Sequence, residues 1–354
     1  MPQYRPRLSE DEYTLIKSIR EQCSEHGIGL NHVRDGWLKS KTSSLRFTNP
    51  LFKSAEQEEK EIDFASVFDT LEPIEVLEVE KVKESIFDRL VYTDVHIGME
   101  VNPNGNALYG GKWDSQEISR RLNSMVQFVI LNRKGNILYI DDLGDFMDGW
   151  NGQTVRKGHD LPQNMTNQEA YDEGVKFKVN LVNAIAPYYD KIVCRNICVD
   201  NHSGDFGYVV NSAFYSLMGV LHPKKVEVYN QTKFIEHYTT HGYGFMTTHG
   251  KDDVNLKFGF KPHIKPDGIR KIENYMNHNK LFEDLQWEFS KGDSHQCLFD
   301  NCSSNRFSYY NYPAFSPASN WVQTNFTPQK SGFVFFNFYE ERKSINEFYF
   351  NERK

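Results

Sequence analysis

Residues 87–98, FDRLVYTDVHIG, decide how this chain is read. The run 87–95 has the apolar character of a buried strand, and it closes on Asp94-Val95-His96 just ahead of Gly98. On an extended strand end, Asp94 and His96 point the same way, so both can reach one metal ion. The same figure, an apolar run ending in a carboxylate, imidazole or Asn beside a tight turn, returns four times. The ends are Gly144-Asp145-Phe146-Met147-Asp148, Asp200-Asn201-His202, Thr248-His249-Gly250 and Gly292-Asp293-Ser294-His295. From Asp94 through Asp145, Asn201 and His249 to His295 the steps are 51, 56, 48 and 46 residues, about one β-α unit each.

Working outward, apolar runs at 136–140, 191–199, 243–246 and 285–289 read as further strands. Helical periodicity marks 115–131, 167–185 and 208–221, with Ile118, Leu122, Met125, Val126 and Val129 on one face of the first. Strands alternating with helices predict an α/β fold with a substantial sheet. In such folds functional groups gather at the carboxyl ends of the strands, which is where the five motifs lie. Residues 9–25 read as a further helix, opened by a Ser9/Glu12 capping box. The last 54 residues hold 15 aromatics, about twice the chain average of 14%. They predict a β-rich cap built as a packed aromatic layer, with a base-stacking platform as the alternative.

These features divide the chain into a basic helical region (1–55), an acidic linker (56–85), a domain that carries the five motifs (86–300) and the aromatic cap (301–354). The net charge is −7, which taken alone argues against a partner that is a polyanion. It is uneven, however: 1–55 carries +3, 56–90 carries −8 and the rest only −2. The basic stretch 37–53 could contact phosphates or simply be a solvated surface. Residues 1–12 lack the apolar core of a signal peptide, and no run of about 18 apolar residues marks a membrane span. A cytoplasmic protein with no membrane partner is expected. Five cysteines, an odd number without a CxxC pair, fit reduced thiols, with a zinc site as the alternative.

Mixed carboxylate and imidazole donors suit Mn, Fe, Zn or Ni ions, and two ions about 3.5–4 Å apart need a carboxylate between them. In their order the five motifs, DVHIG, GDFMD, a variant NH, THG and GDSH, resemble those of the calcineurin-like metallophosphoesterase superfamily, over about residues 86–300. That resemblance implies a four-layer α/β/β/α sandwich and a metal-dependent phosphoesterase. It implies Asp94, His96 and His295 as ligands of one metal and Asn201 and His249 as ligands of a second. Asp145 would bridge the two ions, His202 would be the catalytic histidine that does not bind metal, and Asp148 would support from behind. Two divalent ions follow, Mn²⁺ first, with Mg²⁺, Fe, Ni²⁺ or Zn²⁺ as alternatives.

The pattern departs at two places. Asp200 replaces a glycine on a tight turn, where Asp is tolerable because it visits unusual backbone regions. Asp293 replaces a histidine, which favours harder ions if it binds metal and weakens the second site if it points away. His241 also sits in a Thr-His-Gly, but the apolar run ends at His249. His159, His222, His237, His263 and His278 stay unassigned. The basic start, five-motif core and aromatic end are together similar to phage and bacterial phosphoesterases of the DNA-repair-exonuclease type. This implies a nucleic-acid or nucleotide substrate and allows a homodimer. A phosphomonoesterase, a small-molecule phosphodiesterase and a catalytically weak metal-containing binding protein are the alternatives.

Overall fold

The computed structural model describes residues 84–351, apart from 106, 110, 156–157, 251–261, 282–283 and 326–329, and four earlier positions, Thr14, Lys17, Ser18 and Glu21. Those four are helical and exposed. The basic stretch 37–53, nearly all of the acidic linker and Cys23 lie outside the described residues. The chain falls into two compact units, Met1–Thr70 and Leu71–Lys354. The second contains all the motifs.

Its elements are, in chain order, β1 (Phe87–Tyr92), α1 (Ser115–Asn132), β2 (Ile137–Asp142), α2 (Asn167–Ile185), β3 (Lys191–Ile197), α3 (Asp205–Leu221), β4 (Val226–Gln231), β5 (Glu236–Thr240), β6 (Tyr243–Thr248), α4 (Pro266–His278), β7 (Gln286–Lys291), β8 (Leu298–Asp300), β9 (Ser308–Asn311), α5 (Asn320–Asn325), β10 (Gly332–Phe338) and β11 (Lys343–Tyr349). They form a mixed α/β fold with two mixed sheets, ordered β11-β10-β1-β2-β3-β4 and β5-β6-β7-β9-β8. The strands that carry motifs, β1, β2 and β3 in one sheet and β6 and β7 in the other, run parallel to their motif-bearing neighbours. Each sheet therefore presents its motifs at one end. The aromatic segment expected as a cap is β-rich and supplies β9 to the second sheet and β10 and β11 to the first.

Local chemistry fixes the helix starts. Asp114 accepts the Glu117 N–H at 3.0 Å ahead of α1, and Thr166 and Glu169 close a reciprocal capping box ahead of α2. Period-two alternation then sorts each strand. Phe87 and Val91 of β1 join one apolar cluster with Tyr243 and Phe245 of β6, Tyr310 of β9 and Phe336 and Phe338 of β10. On the other face of β1, Tyr92 meets Phe177 of α2, ring centroids 6.0 Å apart. A second cluster packs Ile272 and Met276 of α4 against Met246, Trp287 and Phe289. Burying each such side chain contributes about 1.5–3 kcal/mol. Among the described residues no helix is long and apolar enough to cross a membrane.

One polar network interrupts the apolar layer. Arg89 of β1 donates through Nε to Asp141 of β2 at 2.7 Å, and through Nη1 to Glu288 of β7 at 2.9 Å. Its Nη2 reaches Ser290 at 3.1 Å, and Lys343 of β11 also donates to Glu288. All of Arg89, Asp141 and Glu288 are buried. Arg89→Met leaves two carboxylates without their shared cation, so a loss of about 3–5 kcal/mol is expected. A urea-unfolding midpoint close to wild type would refute this role.

Candidate metal centre

Each motif begins where a strand stops. β1 ends at Tyr92, so Asp94 and His96 lie beyond the extended chain, both in the left-handed region (φ 54° and 49°). The side chains thus converge through a strained turn and not, as read from the sequence, through strand alternation. Asp145 (φ 45°), Asp293 (φ 65°) and His295 (φ 53°) repeat the feature. Non-glycine residues rarely adopt this conformation, and it gathers at functional sites. Backbone bonds hold the turns together: Asp94 N donates to Gly144 O at 3.0 Å and His96 N to Asp145 O at 3.0 Å. Two glycines allow the approach. Gly144 stands at φ 95°, and a Cβ at Gly292 would lie 2.1 Å from Thr93 Oγ1 and 2.8 Å from Asp94 Oδ2.

The side chains meet in three overlapping trios, each with its ligand atoms within 4.8 Å of one another: Asp94, His96 and His295; Asp94, Asp145 and His249; His96, Asp145 and His202. His295 Nε2 lies 3.2 Å from Asp94 Oδ1 and 3.3 Å from His96 Nε2, and His96 Nε2 lies 3.7 Å from Asp94 Oδ1. His249 Nε2 lies 3.0 Å from Asp145 Oδ2. Ligand bonds of about 2.1 Å set neighbouring donor atoms about 3.0–3.4 Å apart, so these spacings suit coordination. Buried Oδ1 of Asp94, Oδ1 of Asn201 and Oδ2 of Asp293 accept no hydrogen bond, which leaves buried polar atoms in want of a cation. The residues present therefore fit a divalent metal centre.

All nine residues singled out from the sequence come to this region. Asp293 points inward, its Oδ1 3.8 Å from His249 Nε2. Asp148 stands behind, its Oδ1 3.2 Å from His96 Nδ1, while its backbone O pairs with His202 Nδ1 at 3.0 Å. His249 Nδ1 pairs with Leu143 O at 2.9 Å, which turns Nε2 toward Asp145. Asn201 lines the same cavity as His202, Asp293 and His295, a space of about 870 Å³. His241 is exposed and lies 5.7 Å from the Phe87 ring. His159, unassigned from the sequence, also lines the cavity. Of the described cysteines, Cys194 and Cys198 are buried, Cys297 is half-buried and Cys302 is exposed; all are free thiols.

Asp200 corrects the sequence reading. It is not among the residues in the left-handed region. Its carboxylate instead organises the loop, accepting from Asp145 N at 3.0 Å, His202 N at 3.1 Å and Ser203 N at 2.7 Å. The signal that could have found it is the Asp-x-x-Ser spacing of an Asx-type turn.

The electrostatics reflect crowded carboxylates. Burial raises the Asp94 carboxyl, but the His295 and His96 imidazoles outweigh it and hold it well below the usual range. Burial works against charge at Asp145 as well, and His202 and His249 prevail. Burial lowers the His249 imidazole, but Asp145 pushes it up to about 10. His96 and His202 are raised too, against burial, by Asp148 and Asp145. Asp200 is pushed up to about 6 by burial and by the Asp145 charge, and Asp293 is raised by burial. Protons on imidazoles thus balance the carboxylates where a metal would.

Compared with protein-family models and with curated proteins, the chain matches none.

Two outcomes follow from this geometry. His249 rises from an ordinary 6.5 to about 10, so its proton stabilises the metal-free fold fully below pH 6.5 and is lost as pH rises through about 10. A metal ion must displace that proton, so affinity climbs with pH across the same window. Calorimetric titration with Mn²⁺ at pH 7 in buffers of different ionisation enthalpy should show proton release, and identical heats would contradict it. Asp200→Ala removes the acceptor for three N–H groups and should weaken metal affinity about 10–100-fold, read by the same titration.

Proposed function

We propose that this chain is a metal-dependent phosphoesterase, a phosphodiesterase acting on nucleic acid, on a four-layer α/β/β/α framework of the calcineurin-like type. The observation that carries the reading is that five loops from two sheets bring Asp94, His96, Asp145, His202, His249 and His295 into trios that share Asp94, His96 and Asp145. Shared carboxylates between neighbouring trios are what a two-metal centre requires. The framework draws support from the apolar cluster between the two sheets, from α2 against the far side of the first and from α4 against the second.

Asp94, His96 and His295 would hold one ion, and Asn201, His249 and Asp293 the other, with Asp145 between. Mn²⁺ is the ion we favour, because Asp293 and Asn201 supply hard oxygen donors beside the imidazoles. Bound there, two cations lower the pKa of water and neutralise charge building on the phosphoryl oxygens. The chain's own residues do the rest. Hydrolysis joins the water oxygen to phosphorus, breaks the bond to the leaving oxygen and requires a proton on that oxygen. His202 is placed to give it. Its Nδ1 is tied to Asp148 O, so Nε2 faces the cluster, 3.7 Å from Asp145 Oδ2. In the metal-free protein Asp145 and Asp148 raise its pKa against burial, which favours the acid form that such a donor needs.

A second reading is an esterase for nucleotides or other small phosphate esters. The cavity of about 870 Å³ favours it, since that volume suits a small ligand.

In the presence of Mn²⁺ the protein should degrade linear single- or double-stranded DNA. His202→Ala should keep its metal content and lose turnover by about 10²–10⁴-fold. Full turnover in His202→Ala would remove the acid role. Cleavage of bis-p-nitrophenyl phosphate without DNA degradation would move the assignment to the small-molecule reading. No turnover with Mn²⁺, Mg²⁺, Ni²⁺ or Zn²⁺ would overturn both.

A further inference from the structure

Most of the C-terminal aromatic residues are spent on packing. Tyr309, Tyr310, Tyr312, Phe315, Phe333, Phe335, Phe336 and Phe338 are all buried. Tyr339, Phe348 and Tyr349 are half-buried, and among the described aromatics of 301–354 Trp321 alone is exposed, at 58%. It also lines the cavity that holds His96, Asp145, His202 and His295.

The short helix that carries it is held from beneath. Val322 and Gln323 are buried. Gln323 accepts the Tyr109 N–H at 2.9 Å and donates to Ala318 O at 2.8 Å, and Ser319 Oγ accepts the Val322 N–H at 3.2 Å. The buried side fixes the orientation, so the opposite side, with Trp321, Thr324 and Asn325, stays at the surface and along the cavity. The anchored helix therefore presents the indole along the cavity wall. Met99, Pro103, Leu161 and Pro162 extend the apolar wall from other loops. The cavity therefore joins metal-ligating groups, suited to a phosphate, to a rigid aromatic face, suited to a flat π-system.

We infer that Trp321 is a substrate-binding residue that stacks on a nucleobase adjoining the phosphate held at the metal centre. The inference rests on the phosphoesterase reading and narrows it to substrates that carry a base, whether in a strand or in a single nucleotide ester. Stacking needs no particular base, so the preference is for a base over none, not for a sequence. A duplex would have to expose the base, which favours single strands or strand ends.

The test compares wild type, Trp321→Ala and Trp321→Phe with Mn²⁺ on three substrates: thymidine 5′-(p-nitrophenyl phosphate), a single-stranded oligodeoxynucleotide and base-free methyl p-nitrophenyl phosphate. The expected result is a KM about ten-fold higher in Trp321→Ala for both base-bearing substrates. The kcat should stay within about three-fold, the base-free ester should be unaffected, and Trp321→Phe should recover most of the loss. An effect on the nucleotide ester alone would place the base in a mononucleotide substrate, and an effect on both would extend it to strands. Equal kinetics of Trp321→Ala and wild type on base-bearing substrates would overturn the inference, as would an equal loss on all three. Turnover of the base-free ester alone by wild type would also overturn it while leaving the phosphoesterase reading intact. A binding arm separates the two claims further, using fluorescence anisotropy of the labelled oligonucleotide with metal-free protein. Binding that weakens about ten-fold in Trp321→Ala, in a protein without turnover, would uphold the base contact and remove the phosphoesterase reading. No binding and no turnover would remove both.

Discussion

The guanidinium of Arg89 ties the two sheets together. It lies within the apolar layer, spans from Asp141 of the first sheet to Glu288 of the second, and rests over the Phe245 ring at 4.2 Å. Every candidate ligand depends on that junction. Asp94, His96, Asp145 and Asn201 follow strands of the first sheet, and His249, Asp293 and His295 follow strands of the second. Donor atoms about 3 Å apart tolerate little sliding between sheets. Apolar packing alone is permissive about such sliding, because one hydrophobic contact substitutes for another. A buried charge with directional partners is not, since any shift leaves a carboxylate uncompensated.

Strain is the second constraint. Five of the proposed metal-site residues, Asp94, His96, Asp145, Asp293 and His295, sit in the left-handed region, at a cost on the order of 1–3 kcal/mol each. The turns are kept by what surrounds them: backbone bonds between the β1 and β2 loops, the Gly292 N–H on His249 O at 2.9 Å, and the Ser316 N–H on Asp94 O at 3.1 Å. The last of these comes from beyond β9, in the aromatic segment. The end of the chain thus supports the turn of the first motif as well as filling the sheets.

Much of this was legible in the sequence, and the reason is periodicity. Long helices with a clear apolar stripe, such as Asn167–Ile185, and fully buried strands, such as β1 and β6, carry their pattern in every residue. The nine candidate residues that gather in this region could be picked out because each stands at the end of such a run. What escaped is what the pattern cannot encode. β8 has three residues and β11 is half-buried and polar, so their places come from partners distant in the chain. The aromatic tail reads as one layer, yet pairing with β1 on one side and with β7 on the other sends its strands to different sheets. Asp200 looked like a flaw in a motif because its role lies in hydrogen bonds to Asp145 and His202, 55 residues and 2 residues away.

Charge explains why the site is built from this mixture. Asp94, Asp145, Asp148 and Asp293 are all buried, each beside a histidine of the cluster, and carboxylates so buried cannot all ionise without positive charge nearby. Lysine or arginine could supply that charge permanently, as Arg89 does between the sheets, but a permanent cation would fill the space. Imidazoles supply it conditionally. They hold protons while the carboxylates stand alone, and each can exchange its proton for a metal bond at the same nitrogen. A histidine-rich carboxylate cluster is therefore stable enough to fold without an ion and still open to one. The same logic makes Asp200 suitable where a glycine was expected. Burial and the Asp145 charge bring it to about 6, so it adds little negative charge below that value while its oxygens still accept from the loop.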